Sequence, residues 1–234
     1  MQKFSVVFLS LVFLTLLSIL ECMNSDIKIQ NDISSHNLQI KFLPDENKII
    51  AIDTLQIKYL SETNDIYFYL HDSLKVDKII VGNQTVTWEI LEKARYSNSK
   101  DFQFIRKLMN SDHVNLYKVH LPLSLFPEIM RIYYEGEFCE LTAASVPANA
   151  LQSNECCINS ERINLHGSQF WYPSLPDSRV TYKLITLTPV DLEVATQGEL
   201  VLTEQNEDSL LCIWEQKQPI EFITLTAAKK PVKS

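Results

Sequence analysis

Hydrophobic and polar residues alternate with a period of two through most of this chain. Leu38, Ile40 and Phe42 are spaced by polar residues, and Pro44-Asp45-Glu46-Asn47 follows as a turn. Ile49 to Leu60 then returns as a long strand carrying Ile52, Leu55 and Ile57, so the two segments read as a hairpin. Asp65 to Leu70 is a short aromatic strand, with Ile66, Phe68 and Leu70 on one face and Tyr67 and Tyr69 on the other. Leu74 to Val81 and Thr85 to Leu91 flank Gly82-Asn83 as a second hairpin. Val114 to Leu121 and Ile129 to Tyr134 are two more strands, and Tyr133-Tyr134 before Glu135-Gly136 read as an edge strand entering a turn. Further strands are expected at Arg162 to Leu165, Thr181 to Leu187, Leu192 to Thr196, Glu199 to Thr203, Leu210 to Glu215 and Glu221 to Thr226. Gln197-Gly198 and Asn206-Glu207-Asp208 are the turns in that last group. Lys93 to Ser111 is a long polar loop with a turn of helix near Phe104 to Met109, and Glu140 to Asn159 is irregular.

No 3.6-residue periodicity is sustained after the first twenty or so residues, and β-branched and aromatic residues dominate. The expected fold is all-β, preceded by an N-terminal apolar helix: an antiparallel β-sandwich or an open, twisted β architecture. Only four glycines occur, so Asn, Asp and Pro must form most of the turns.

The N-terminus has a different character. Lys3 precedes an uncharged apolar run from Phe4 to Leu20. A secretory signal has an apolar core of roughly 7–15 residues and a spanning helix needs about 20, so this run lies between the two. Ile19, Leu20 and Glu21 make a poor cleavage site. A cleaved signal, an uncleaved anchor helix and a lipoprotein signal at Cys22 stay open. Each puts the rest of the chain outside the cytoplasm, in the periplasm, in the medium or on the membrane surface. The chain therefore divides into residues 1–22, a signal or anchor, and residues 23–234, one β domain.

The net charge of −8 disfavours nucleic acid, which requires clustered Lys and Arg. Behind Cys22 stand Cys139, Cys156, Cys157 and Cys212. Adjacent Cys156 and Cys157 do not suit a bond to each other, and Cys139 with either of them is the expected disulfide, against four reduced thiols. No Cys-x-x-Cys spacing points to zinc. Asn83-Gln84-Thr85 is a glycosylation sequon on a turn. Ser168 lacks the flanks of a nucleophile elbow, and no glycine-rich phosphate loop is present. Trp171-Tyr172 before Pro173 is a candidate ligand-stacking or interface cluster, with core packing as the plainer role. Leu210, Cys212 and Trp214 share one strand face with a buried pattern.

Several segments resemble the N-terminal β domain of M1-family zinc aminopeptidases. The opening hairpin carries Ile49, Asp53, Leu55 and Ile57 in the form I-x-x-x-D-x-L-x-I. Tyr69-Leu70-His71 leads into Leu74 to Asn83, and Leu165-His166-Gly167-Ser168 leads into Trp171-Tyr172-Pro173. Pro189 to Leu200, then Ile213-Trp214 and Pro219 to Thr226, complete the resemblance over His36 to Val232. The resemblance implies an antiparallel β-sandwich or saddle-like twisted sheets, placed before a thermolysin-like catalytic domain. The zinc motif of that domain, His-Glu-x-x-His, is absent: His36, His71, His113, His120 and His166 are never followed by Glu and never spaced by four. The Gly-x-Met-Glu-Asn segment is absent as well. In the family the β domain lends one polar side chain to the substrate's amino group, and Glu140, Gln152 and Glu155 are the candidates here.

The expectation is a non-catalytic exported β domain that acts as a binding or structural module, with no catalytic, metal or cofactor residue of its own. One alternative is the front part of a split or truncated zinc aminopeptidase, its zinc held by a catalytic domain on another chain. The other is an unrelated envelope adhesion or carbohydrate-binding sandwich. The expected partner is a metallopeptidase catalytic domain or another envelope protein. An orphaned docking domain should expose an apolar patch, and a carbohydrate module a row of exposed aromatics.

Overall fold

A computed structural model of the chain describes residues 29–59, 65–93, 103, 107, 113–121, 128–138 and 157–230. The described residues form fifteen strands: β1 (Asn31–Leu43), β2 (Lys48–Tyr59), β3 (Asp65–His71), β4 (Leu74–Val81), β5 (Gln84–Thr85), β6 (Thr87–Ile90), β7 (Val114–His120), β8 (Ile129–Glu137), β9 (Cys157–Ile158), β10 (Arg162–Leu165), β11 (Val180–Pro189), β12 (Leu192–Thr196), β13 (Glu199–Gln205), β14 (Ser209–Ile220) and β15 (Leu225–Lys229). They form three sheets, ordered β13-β14-β11-β1-β2-β8-β4-β5, β12-β15-β10-β9 and β3-β7-β6. Among the described residues no helix is long and apolar enough to cross a membrane. The apolar run Phe4 to Leu20 lies outside them.

The expected opening hairpin is present. Pro44–Glu46 makes one 3-10 turn, Asn47 takes φ 52°, and Leu43 pairs with Lys48. Asparagine tolerates this left-handed conformation better than most residues. A bulge between Ile33 and Ser35 resets the parity of β1, so Ile33 and His36 both point inward although they are three positions apart. From His36 onward β1 alternates strictly, with Leu38, Ile40 and Phe42 buried and Asn37, Gln39 and Lys41 exposed.

The structure corrects several expectations. The large sheet is mixed, because β1 runs parallel to β11, from Ser35–Thr181 to Lys41–Leu187. The segment Thr85 to Leu91 breaks at Val86: β5 pairs with β4 in the large sheet, while β6 pairs with β7 in the three-stranded one. Val86 N–H donates to the Ile79 carbonyl, and its side chain is buried. β8 is internal, between β2 and β4, and Gly136 lies within it. The glycine is required there: an added Cβ would lie 2.2 Å from the Ser73 carbonyl oxygen. Gln197-Gly198 joins β12 to β13 across two sheets and closes no hairpin, whereas residues 206–208 do turn β13 into β14. The last strand starts at Leu225, later than expected, because β14 continues through Pro219 to Ile220. Tyr69 is as buried as Phe68, so β3 is covered on both faces. Leu210 and Cys212 are buried as expected, and Trp214 is only half-buried. The loop from Lys93 to Ser111 and the irregular stretch Glu140 to Asn159 fall mostly outside the described residues, and the described end of the second forms the short strand β9.

One continuous core unites the three sheets. It takes Leu38, Leu55, Ile132 and Leu184 from the large sheet, Phe68 and Leu116 from the three-stranded one, and Ile163, Val194 and Leu225 from the four-stranded one. Gly136→Ala is expected to destabilise the fold by about 3 kcal/mol, because the obstructing atom is backbone and cannot swing aside. Urea unfolding of the two proteins measures this directly.

Candidate functional site

Trp171 and Tyr172 are both fully buried. They follow a single 3-10 turn, Gly167–Gln169, that ends in Phe170 with φ 55°. A bulky residue in that region costs roughly 1–3 kcal/mol and persists only where its surroundings hold it. Here Phe170 N–H donates to the Gly167 carbonyl at 3.2 Å, and the Phe170 carbonyl accepts from His71 N–H at 2.8 Å. The twist turns both large rings toward Ile223. Trp171 Nε1–H donates to the Ile223 carbonyl at 3.0 Å, and Ile223 N–H donates to Tyr172 Oη, also at 3.0 Å. Gly167 allows this approach, since a Cβ there would lie 2.6 Å from the Ile223 carbonyl oxygen. The two rings meet edge to face at 4.9 Å.

Beneath Tyr172 is a buried acid–base pair. His36 meets the tyrosine ring edge-on at 5.1 Å. Its Nδ1 lies 2.7 Å from Asp53 Oδ2, with both side chains 0% exposed. Both residues sit on inward positions of adjacent strands, one step apart diagonally: His36 faces Leu55 and Asp53 faces Leu38. His36 Nε2, Asp53 Oδ1 and Tyr134 Oη have no hydrogen-bond partner among the described residues. Burial, reinforced by the Asp53 carboxylate, pushes the Tyr134 hydroxyl well above the usual tyrosine range, and burial raises Tyr172 as well. Both therefore stay protonated. The pair has the elements of an acid–base dyad, but it is sealed from solvent. Its geometry suits the joining of β1 and β2 beneath the aromatic segment.

Two histidine clusters lie nearer the surface. At the end of β3, His71 Nδ1 accepts from Ser73 N–H at 3.2 Å and lies 2.8 Å from Ser73 Oγ. Asp72 Oδ2 is 3.1 Å from His113 Nδ1, and the two imidazole rings stack 6.2 Å apart. Burial lowers His71 to about 4, with His113 adding to the shift and Asp72 opposing it. On the three-stranded sheet, His120 lies 3.2 Å from Asp65 and 3.6 Å from Glu89, and Lys118 pairs with Asp65 at 3.1 Å. Among the described residues no group of three or more His, Cys, Asp and Glu is placed to hold a metal. Ser168 is buried within the 3-10 turn and bonded to His166 Nδ1 at 2.6 Å.

The outer face of the large sheet carries the open surface. Successive registers place Tyr133, Ile52, Gln39, Ile185, Ile213 and Leu202 in one row across six strands. The next row is Glu135, Ile50, Lys41, Leu187, Leu211 and Glu204. Ile50, Ile129, Leu200, Val201 and Leu202 are exposed, and no aromatic side chain is exposed among the described residues. A shallow groove of about 380 Å³ crosses this face among Ser35, Thr181, Lys183, Glu215 and Lys217. Its mixed charges favour no single ligand sign.

Of the residues singled out in the sequence, Trp171 and Tyr172 are brought together at the core. Cys157 is buried in β9, while Cys139, the expected disulfide partner of Cys156 or Cys157, lies outside the described residues, as do Cys156, Glu140, Gln152 and Glu155. The His36–Asp53 pair escaped the sequence reading. Its one visible signal was a carboxylate at an inward position between Ala51 and Leu55.

No protein-family profile and no curated protein sequence matches the chain. Solved structures do. The M1 zinc metallopeptidase from Deinococcus radiodurans matches with a TM-score of 0.62 at 16% identity, over 86% of this chain and 42% of that one. Leukotriene A4 hydrolase from Saccharomyces cerevisiae matches with a TM-score of 0.53 at 11% identity, over 87% of this chain and 30% of that one. The chain thus spans less than half the length of either enzyme. Its fold is that of the N-terminal β domain of M1 zinc metallopeptidases, with one mixed and two antiparallel sheets.

Two outcomes follow. Asp53→Ala leaves His36 buried without its partner and is expected to cost roughly 3–5 kcal/mol, much of it recovered by the apolar double variant His36→Met/Asp53→Leu. Because His71 is depressed in the folded state, its contribution is present above pH 6.5 and is lost as pH falls toward about 4. That loss amounts to about 2–3 kcal/mol. Urea midpoints at pH 7 and pH 4.5 should converge in His71→Asn, whose side-chain carbonyl still accepts from Ser73.

Proposed function

We propose that this chain is a non-catalytic, exported β domain that works by docking, as a binding or structural module built on the M1 N-terminal fold. The observation that supports it is the extent of the structural likeness: 86% of this chain is used, against 42% of a metallopeptidase. The metal-binding motif expected of such an enzyme is missing from these 234 residues. The surface points the same way. The outer sheet face and the β13 edge expose Ile and Leu and no aromatic ring, which fits a docking surface better than a sugar-binding one. Residues 4–20 would deliver the domain out of the cytoplasm or hold it on the membrane.

A second reading has one specific support, the same likeness seen from the enzyme's side. The partner would be a chain carrying a thermolysin-like catalytic domain, and this chain would complete it as the front domain of a split aminopeptidase. Zinc would then belong to the partner.

Affinity purification of the tagged full chain from its native envelope separates the readings. Under the docking-module proposal the eluate holds a stable partner, while aminopeptidase activity and stoichiometric zinc are absent. A co-purifying chain with His-Glu-x-x-His and chelator-sensitive activity would establish the split enzyme. Zinc and activity in the isolated chain would defeat both.

A further inference from the structure

We propose that Asn83 is an N-glycosylation site, modified by an oligosaccharide carried on a lipid-linked pyrophosphate. The inference goes beyond the docking reading but rests on the export proposed with it, since this donor serves chains that have left the cytoplasm. Asn83-Gln84-Thr85 is the one Asn-x-Ser/Thr sequence among the 234 residues, and its middle residue is not proline. The fold puts it where a transferase can reach. β4 and β5 are joined by the two-residue turn Gly82-Asn83, with Val81 paired to Gln84 and Ile80 to Thr85. Gly82 takes a left-handed φ of 59°, and Asn83 does not share it. A glycine at the first central position with an ordinary φ at the second is the type II′ pattern of tight hairpins. The unusual conformation thus falls on the residue without a Cβ, and Asn83 tolerates substitution. Nothing lies within 4 Å of where a Cβ on Gly82 would stand, so the tip of the turn is open. Gly82, Asn83, Gln84 and Thr85 are all exposed, between buried Val81 and Val86.

The side chains that the transfer needs are also uncommitted. Neither the Asn83 carboxamide nor the Thr85 hydroxyl has a hydrogen-bond partner among the described residues. Other asparagines differ: Asn31 exchanges hydrogen bonds with the Tyr67 backbone, and Asn159 Oδ1 accepts from Glu161 and Arg162 N–H. In the transfer, Asn83 Nδ2 forms a bond to C1 of the first sugar. The bond from C1 to the pyrophosphate oxygen breaks, and the lipid pyrophosphate leaves with the electron pair. One amide proton is released, and nothing is oxidised or reduced. The Thr85 hydroxyl, two residues on, is the second group that the transferase recognises. β5 ends the large sheet at the opposite side from β13. A glycan on its turn blunts that edge and stands clear of the aliphatic residues of β11, β14 and β13. Sugar and docking face therefore do not compete.

Mass spectrometry of the tagged full chain, recovered from its native cells, tests the proposal. Trypsin releases residues 79–93 as one peptide containing Asn83. That peptide should be heavier by an oligosaccharide and yield sugar fragment ions. Asn83→Gln and Thr85→Val should each return it to its bare mass, while Thr85→Ser should retain the sugar. Circular dichroism should be unchanged in all three, since both positions are exposed. A bare peptide from the unsubstituted chain overturns the proposal. Cell fractionation then tells the two failures apart: a chain in the envelope or medium leaves the export reading standing, and a cytoplasmic one removes both. Sugar that persists in Asn83→Gln sits on a hydroxyl and overturns the proposal as well.

Discussion

The fold depends on the parallel pairing of β1 with β11. β1 lies at the middle of the large sheet, with β2, β8, β4 and β5 on one side and β11, β14 and β13 on the other. Seven residue pairs, from Ser35–Thr181 to Lys41–Leu187, join segments far apart in the chain. Parallel neighbours need a crossover, and here the crossover includes both the three-stranded sheet and the first strands of the four-stranded one. Contacts of such sequence separation form late and carry a high loop-closure cost. The hairpins β1–β2 and β13–β14 can form early, but neither has a complete sheet until the two halves meet.

The buried polar pair lies beside this junction. Asp53 occupies an inward position that its neighbours Ala51 and Leu55 would suit an aliphatic residue to fill, and His36 meets it from the central strand. Replacing both with hydrocarbons would remove the desolvation penalty, so raw stability does not account for the pair. A register error is a sharper constraint. Sliding β1 by one residue against β2 would turn His36 outward and leave Asp53 buried alone. The bulge at Ser34 makes such a slip more accessible, since parity is already broken there. On this argument the pair specifies the register that the alternation of Leu38, Ile40 and Phe42 only favours.

Local pattern made some of this legible and left the rest dark for identifiable reasons. Leu38 to Phe42 and Thr181 to Leu187 show one buried face each, and a period of two reports that directly. Which strand lies beside which is not a local property, so the β1–β11 parallel contact had no signature. Glu135-Gly136 has the chemistry of a turn, yet Gly136 serves the close approach of the Ser73 carbonyl in the middle of a strand. Glycine answers to both demands, and only the neighbouring backbone tells them apart. Val86 fits either strand of a continuous run, and the break appears only because its flanks pair into different sheets. At the candidate site, Trp171 and Tyr172 were visible as a cluster, but their dependence on Ile223 came from a segment whose strand boundary had been placed four residues early. His71 and His113 are brought together by the β3–β7 pairing, and no spacing rule reaches that far.

The distribution of open backbone and open apolar surface bears on function more than any single side chain does. An eight-stranded sheet covered on one face can stay soluble if its other face is polar, and here Gln39, Lys41, Lys183 and Glu215 interrupt the aliphatic residues of that face. The dilution is uneven. Toward β5, Lys75, Lys78 and Arg131 accompany the strands, and Lys78 lies 5.9 Å over the Tyr133 ring. Toward β13, aliphatic residues on β11, β14 and β13 run out to the rim with carboxylates as their main company. A surface serving solubility alone has no reason to concentrate its apolar groups beside the seven-residue edge strand β13. Selection against edge-to-edge aggregation would push the other way. The concentration of aliphatic residues along β11, β14 and β13 is therefore the feature of this face that a docking partner would explain.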